Sequence, residues 1–294
     1  DILEIEAVTS ASLGPFTLGQ SCYDEGGHII SGARSTKWQN VDLYNLIQEG
    51  LRRHGNSHCK VRCLTDAEAM VVGEHYLYRQ DKLSASIPGS PDYSELMRDM
   101  GKDTVAYLLL DEGVGGSIFR RNQIIRGDAS LELGHIPIYP TPADSGHYPI
   151  ASCGAHYLPC LEGTIGLKAL RDKWTLEYSD YLNLDIEAPK LKWIGYYVAQ
   201  AVHTIAITHT PTVTLIGGAL ARNPNLLPHV QFYYDELGSN RRSPDMYPDY
   251  KSQYDLDEFI QYWSNPDAGV LGCLCWSHRT LEQASARPWY LKNE

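Results

Sequence analysis

The segment Cys153-Gly-Ala-His156-Tyr-Leu-Pro-Cys160 constrains the fold more than any other, because three metal-ligand residue types fall in one short loop. His135, in Leu-Gly-His at the end of an apolar stretch, offers a fourth ligand. Two thiolates and two imidazoles form a set that zinc favours in a closed tetrahedron. A cation on these four residues would tie two stretches of backbone together, so the fold must carry residue 135 to the 153–160 loop. With no position left for water such an ion is structural, and it would hold Glu132 and Glu162 beside it as a pre-organised pair of carboxylates. The competing reading makes the cysteines buried hydrophobes and the histidines ordinary loop residues. Another histidine, His147 above all, can also replace His135 as the remote ligand.

Composition narrows the partners. A chain of 294 residues with 43% hydrophobic and 21% charged content is ordinary for a soluble globular protein and has room for two modest domains. A formal net charge of −11 argues against nucleic acid as a partner, although Arg120, Arg121 and Arg126 can form a local basic patch. No stretch approaches the roughly 20 apolar residues of a membrane span. The opening Asp1-Ile-Leu-Glu-Ile-Glu lacks the basic start and cleavage site of a signal peptide, so a cytoplasmic protein with no membrane partner is expected. Seven cysteines, an odd number, fit a reducing compartment with two thiolates on metal; Cys59, Cys63, Cys273 and Cys275 read as core or surface thiols. The chain has no initiating Met and opens inside a strand pattern, Ile5 to Ser10, that runs into Leu13-Gly14-Pro15, so it reads as a fragment.

Periodicity predicts an α/β design. Apolar positions 43, 46, 47 and 51 trace one helical face behind Asn40 as N-cap. Cys59 to Leu64 alternates like a strand and leads through Thr65-Asp66 into a second helical pattern, which places Asp66 at a strand-to-helix junction. Residues 81–100 are polar and aperiodic, and read as a loop or short helix and the domain boundary. Thr104–Leu110, Gly113–Phe119 and Gln123–Ile125 then predict a strand, a glycine bend and a hairpin. In the strongest helix, 190–207, Ile194, Tyr197, Val198, Ala201, Val202 and Ile205 stand at core spacing. Thr212–Ile216 reads as a buried strand ending in Gly217-Gly218.

Asp66 is a candidate general base, since a carboxylate at such a junction can accept a hydroxyl proton. Helix capping alone would also account for it. Glu132 and Glu162 can hydrogen-bond paired sugar hydroxyls, although as isolated residues they read as exposed surface carboxylates. His135 can lend one ring nitrogen to substrate while the other binds metal. Gly113-Val-Gly-Gly and Gly217-Gly218 each let backbone approach phosphate, and each is equally accounted for as a turn.

In their order these segments resemble the ROK family of sugar kinases and sugar-responsive repressors, and within it the zinc-containing fructokinase branch. The resemblance spans roughly residues 5–280. It is carried by Leu13-Gly14-Pro15, Lys37-Trp-Gln-Asn-Val-Asp-Leu43, Thr65-Asp66-Ala-Glu-Ala, Gly113-Val-Gly-Gly116, Glu132-Leu-Gly-His135, Cys153 to Cys160 followed by Leu-Glu162-Gly, Tyr196 to Ala201, and Ile216-Gly-Gly-Ala. It implies two ribonuclease-H-like α/β lobes of the hexokinase/actin type, the first truncated at its N-terminus. Residues 1–100 would form that incomplete lobe with the catalytic Asp, and 101–294 the C-terminal lobe, its last helix packing back on the first.

The implied reaction is ATP-dependent phosphorylation of a hexose, fructose to fructose 6-phosphate first, with Asp66 as base. Sugar and ATP would meet in the cleft, where lobe closure excludes water. Asn40, Thr65, Glu132, His135 and Glu162 would orient the sugar, and Gly113, Gly115, Gly116, Gly217 and Gly218 would hold ATP phosphates with Mg²⁺. Zn²⁺ would sit on His135, Cys153, His156 and Cys160. The resemblance allows a homodimer. Two departures stand out. No Asp-Gly-Gly-Thr type phosphate hairpin precedes Gly14-Pro15, and Asp111-Glu112 replaces the family's Gly-Thr pair before Gly113. Two carboxylates beside phosphates cost repulsion and desolvation. A second reading follows, a non-catalytic sugar-binding or sensor protein or an inactive kinase fragment.

Overall fold

The computed structural model describes residues 4–14, 16–17, 28–29, 37–84, 103–140, 151–238, 255–262 and 265–285. Pro15, His147 and most of the polar stretch expected as the domain boundary lie outside them. In chain order the elements are β1 (Ala7–Ser12), β2 (Phe16–Thr17), β3 (His28–Ile29), α1 (Leu43–Arg53), β4 (Lys60–Thr65), α2 (Asp66–Ser84), β5 (Thr104–Leu110), β6 (Val114–Arg120) and β7 (Gln123–Ile124). There follow α3 (Leu161–Ile165), α4 (Leu167–Trp174), α5 (Tyr178–Leu182), α6 (Pro189–His209), β8 (Val213–Gly217), α7 (Leu226–Gly238), α8 (Leu256–Phe259), β9 (Ile260–Tyr262) and α9 (Ala268–Ser285). Contacts divide the chain into two compact units, residues 1–97 with 124–131 and 265–294, and residues 98–123 with 132–264. Residues 124–131 and α9, both within the expected 101–294 lobe, fall in the first unit.

In the first unit β1 pairs parallel to β4, from Ala7 beside Lys60 to Ser12 beside Thr65. Val41, Leu43, Tyr44 and Ile47, on α1 and just ahead of it, pack against buried Phe16 and Cys63. The N-cap of α1 is Asp42, whose Oδ1 accepts the Asn45 amide at 2.9 Å. Asn40 lies outside the helix in a turn with φ 60°, which corrects the expected cap: the carboxylate three residues before Asn45 reaches the orphan amide. Helix α2 starts directly after β4 with a capping box. Thr65 Oγ1 accepts the Glu68 amide at 3.1 Å, and Glu68 Oε2 accepts the Thr65 amide at 2.9 Å. The helix continues through 81–84, residues assigned above to the polar stretch.

The second unit is built on a five-stranded sheet of order β7-β6-β5-β8-β9. β6 runs antiparallel to β5, while β8 and β9 run parallel to it. All five residues of β8 are buried and six of the seven of β5, as continuous apolar runs predict for strands covered on both faces. Parallel β5 and β8 need a long crossover, and α3 to α6 lie within it. Ile194, Tyr197, Val198, Ala201, Val202 and Ile205 of α6 are all buried, as their spacing predicts.

Candidate functional site

Backbone pairing brings the four ligand residues together. Pro137 and Cys160 form an antiparallel bridge, Leu161 N donates to Ile136 O at 3.1 Å, and Ile138 N donates to Pro159 O at 3.4 Å. The stretch after His135 is thus bound to the end of the Cys/His loop. The start of the loop is held by Cys160 N on Ala151 O at 3.2 Å and Ala151 N on Thr164 Oγ1 at 3.1 Å. Gly163 makes this approach feasible, since a Cβ there would meet Ala151 O at 2.3 Å.

The outcome is one cluster. The ligand atoms of His135, Cys153, His156 and Cys160 all lie within 4.8 Å of one another. His135 Nδ1 is 3.4 Å from Cys153 Sγ. Ligands on a tetrahedral zinc, with Zn–N about 2.05 Å and Zn–S about 2.3 Å, stand about 3.5 Å apart, so this edge already has the required length. His156 Nε2 is buried without a hydrogen-bond partner, as a nitrogen reserved for a cation would be. Both sulfurs accept backbone amides, Cys153 from Ala155 at 3.4 Å and Cys160 from Gly163 at 3.3 Å, bonds that favour thiolate.

The electrostatics agree. Burial pushes the Cys160 thiol up, but hydrogen bonds with His135, the Gly163 amide and Cys153 outweigh it and leave the thiol below its ordinary range. Its sulfur, with Glu132 next in effect, lifts His135 to about 11 against the opposing effect of burial. An imidazole held protonated this firmly supplies the positive charge that the cluster demands, and a divalent ion would displace its proton. The residues therefore fit zinc.

Of the carboxylates beside the cluster, exposed Glu132 places Oε2 3.3 Å from His135 Nε2. This is the geometry of an outer carboxylate orienting a ligand histidine. Glu162, two residues after Cys160, accepts the Val114 amide through Oε2 at 3.0 Å. Asp66, Thr65 and Asn40 belong to the first unit. Asp66 is exposed at the head of α2 and its Oδ1 accepts the Ala67 amide at 2.7 Å; the cap of that helix is Thr65, so capping does not account for Asp66.

The glycines lie at or beside two turns of the second unit. Gly113 ends the turn between β5 and β6, and Gly115 and Gly116 are ladder residues opposite Leu109 and Leu108. A Cβ on Gly116 would come within 2.9 Å of both Leu133 Cβ and Tyr107 O, so close packing requires this glycine. Gly217 closes β8, and Gly218 has φ 92°.

Several contacts escaped the sequence reading. Asp111 Oδ2 accepts the Ala219 amide at 3.3 Å, joining the two glycine turns, and Glu112 pairs with Arg171 at 3.1 Å. Arg126 does not extend a basic patch: its Nε donates to Glu68 Oε1 at 2.7 Å in a largely buried pair. The Thr-x-x-Glu spacing was the signal for Glu68, while its partner 58 residues away left none. Gln200 grips both backbone atoms of Tyr139, at 2.9 and 2.8 Å, a contact with no local sequence sign.

A family model described as "ROK family" matches residues 90–276. The fructokinase of Streptococcus mutans serotype c (strain ATCC 700610 / UA159) is 22% identical over 234 residues, covering 80% of this chain and 69% of its own. The ROK hexokinase structure from Thermus thermophilus superposes with TM-score 0.58 at 19% identity, over 83% of this chain and 72% of that one. The structure of a ROK family transcriptional regulator, a homolog of the E. coli MLC protein, gives TM-score 0.60 at 17% identity, over 94% of this chain and 62% of that one. The mixed α/β fold is that of the hexokinase-type structures.

Proposed function

Because the chain belongs to the ROK family, we propose that it is a sugar kinase that phosphorylates a hexose, with fructose, converted to fructose 6-phosphate, as first candidate. The observation that carries this is the four-ligand cluster with Glu132 and Glu162 at its edge, the pattern expected of the fructokinase branch. Zinc, when bound to His135, Cys153, His156 and Cys160, supplies a structural crosslink. Glu132, Glu162 and His135, with Asn40 and Thr65, orient the sugar. Asp66 accepts the proton of the attacking hydroxyl while the new O–P bond forms to the γ-phosphorus and the bridging bond to ADP breaks. Gly113, Gly115, Gly116, Gly217 and Gly218 are assigned to the phosphates, and Mg²⁺ when bound offsets their charge. Among the described residues no helix is long and apolar enough to cross a membrane, and a cytoplasmic site of action completes the reading.

A second reading, a sugar sensor without catalysis, is favoured by Asp111, whose carboxylate takes the Ala219 amide beside Gly217-Gly218. A coupled ADP-release assay with fructose, mannose and glucose separates the two. Sugar-dependent turnover supports the kinase. A melting temperature raised by fructose without turnover supports the sensor, and neither response overturns both.

A further inference from the structure

Glu162 stands where two parts of the second unit meet. It lies in the first turn of α3, two residues after the ligand Cys160, whose Sγ caps that helix by accepting the Gly163 amide at 3.3 Å. Its Oε2 accepts the amide of Val114, the first residue of β6 after the 111–113 turn, at 3.0 Å. The ladder cannot satisfy that amide. Asp111 N donates to Gly113 O at 2.9 Å, which makes the next pair, Leu110 and Val114, a non-hydrogen-bonded one whose amides point away from each other. The same turn is tied to the segment after α3 by Leu167 N on Asp111 O at 3.0 Å and by Lys168 N on Glu112 O at 3.4 Å. On its far side it is tied to the 217–219 turn by Asp111 and the Ala219 amide at 3.3 Å. A continuous run of short bonds thus leads from a metal ligand to both glycine turns.

We propose that Glu162 is a positioning residue that couples the Cys/His metal loop to the glycine hairpin, so that the Val114 amide is held only while a divalent cation ties the loop closed. This rests on the reading of the four residues as a zinc site. The coupling gives the ion a second consequence, since removing it releases α3, and with α3 the turn assigned to phosphate, as well as the carboxylates assigned to sugar.

Amide hydrogen exchange at Val114 tests this in the full chain without any need for turnover. The Tyr107 and Ser117 amides, a hydrogen-bonded pair of the inner ladder by the same alternation, serve as internal reference, and zinc content is measured on every sample. Chelation of the zinc-loaded protein is expected to speed exchange at Val114 at least about tenfold, with the reference unchanged. At full zinc content Glu162→Ala is expected to do the same, whereas Glu162→Gln, which keeps an acceptor oxygen, restores protection. Should Glu162→Ala fail to fold or to hold zinc, chelation of the wild type and of Glu162→Gln decides. Zinc bound at the cluster with Val114 exchange indifferent to chelation overturns the coupling and leaves the metal reading standing. A protein that takes up no zinc overturns both.

Discussion

Asp66 is exposed between two buried neighbours, Thr65 and Ala67, and the capping of α2 is done by Thr65 and Glu68. If Asp66 acts as the proposed general base, Asp66→Asn should lower kcat by about 10²–10⁴-fold while fructose still raises the melting temperature. Retained turnover would remove Asp66 from the role of base. Cys160→Ala should cut zinc affinity by more than the roughly 10–100-fold typical of losing an outer partner, and sugar affinity with it, as read by elemental analysis and calorimetry. Zinc uptake by the metal-free protein should also release protons, because His135 is lifted to about 11, and affinity should weaken as pH falls.

Elsewhere in the chain, Glu74 is fully buried, with Oε1 on the Asn265 amide at 3.2 Å and Oε2 without a partner, and burial raises it to about 7. The folded state thus holds this proton more tightly than the unfolded chain, so the associated stability is full below about 4.5 and is lost as pH rises through about 7. Relative to wild type, Glu74→Gln should gain stability over that window, on the order of 1–3 kcal/mol, and no more above it. A difference in melting temperature independent of pH would refute this. The clustering of His135, Cys153, His156 and Cys160 was legible because residue type and local spacing carry it. Glu74 was not, because its burial is created by a segment almost two hundred residues away.

At the scale of elements, α2 and α9 meet through reciprocal glycines. A Cβ on Gly73 would lie 1.9 Å from Ala268 O, and one on Gly272 would lie 1.9 Å from Ala69 O. Either Gly→Ala change must push the helices apart and should cost about 1–3 kcal/mol or more in denaturant unfolding. Gly50 on α1 has nothing within 4 Å, so Gly50→Ala should instead stabilise by about 0.5–1 kcal/mol. An outcome with the two signs exchanged would show that the helix crossing is not as close as described. The strands β5 and β8 and helix α6 were readable from their apolar runs and period, which arise from their own burial. The start of α1 was misread at Asn40 because two Asx residues precede the helix, and only backbone geometry selects Asp42. The pairing of β1 with β4 links strands half a lobe apart and had no local signal.

For the whole molecule, the two units differ in how the chain supplies them. The second takes 98–123 and 132–264, while the first needs three separated segments, including α9 from the far end of the sequence. Chelation of the proposed zinc should accordingly lower the melting of the second unit, which holds His135, Cys153, His156 and Cys160, and leave the first little changed; a single transition shifting as one would contradict this. During synthesis on the ribosome, residues 1–97 emerge before the second unit yet must wait for α9, whose glycines mate with those of α2 and whose Ser277 hydroxyl bonds Thr9 at 2.7 Å. The unit begun before its neighbour is thus finished after it, and in the interval the face of α2 that α9 covers stays open.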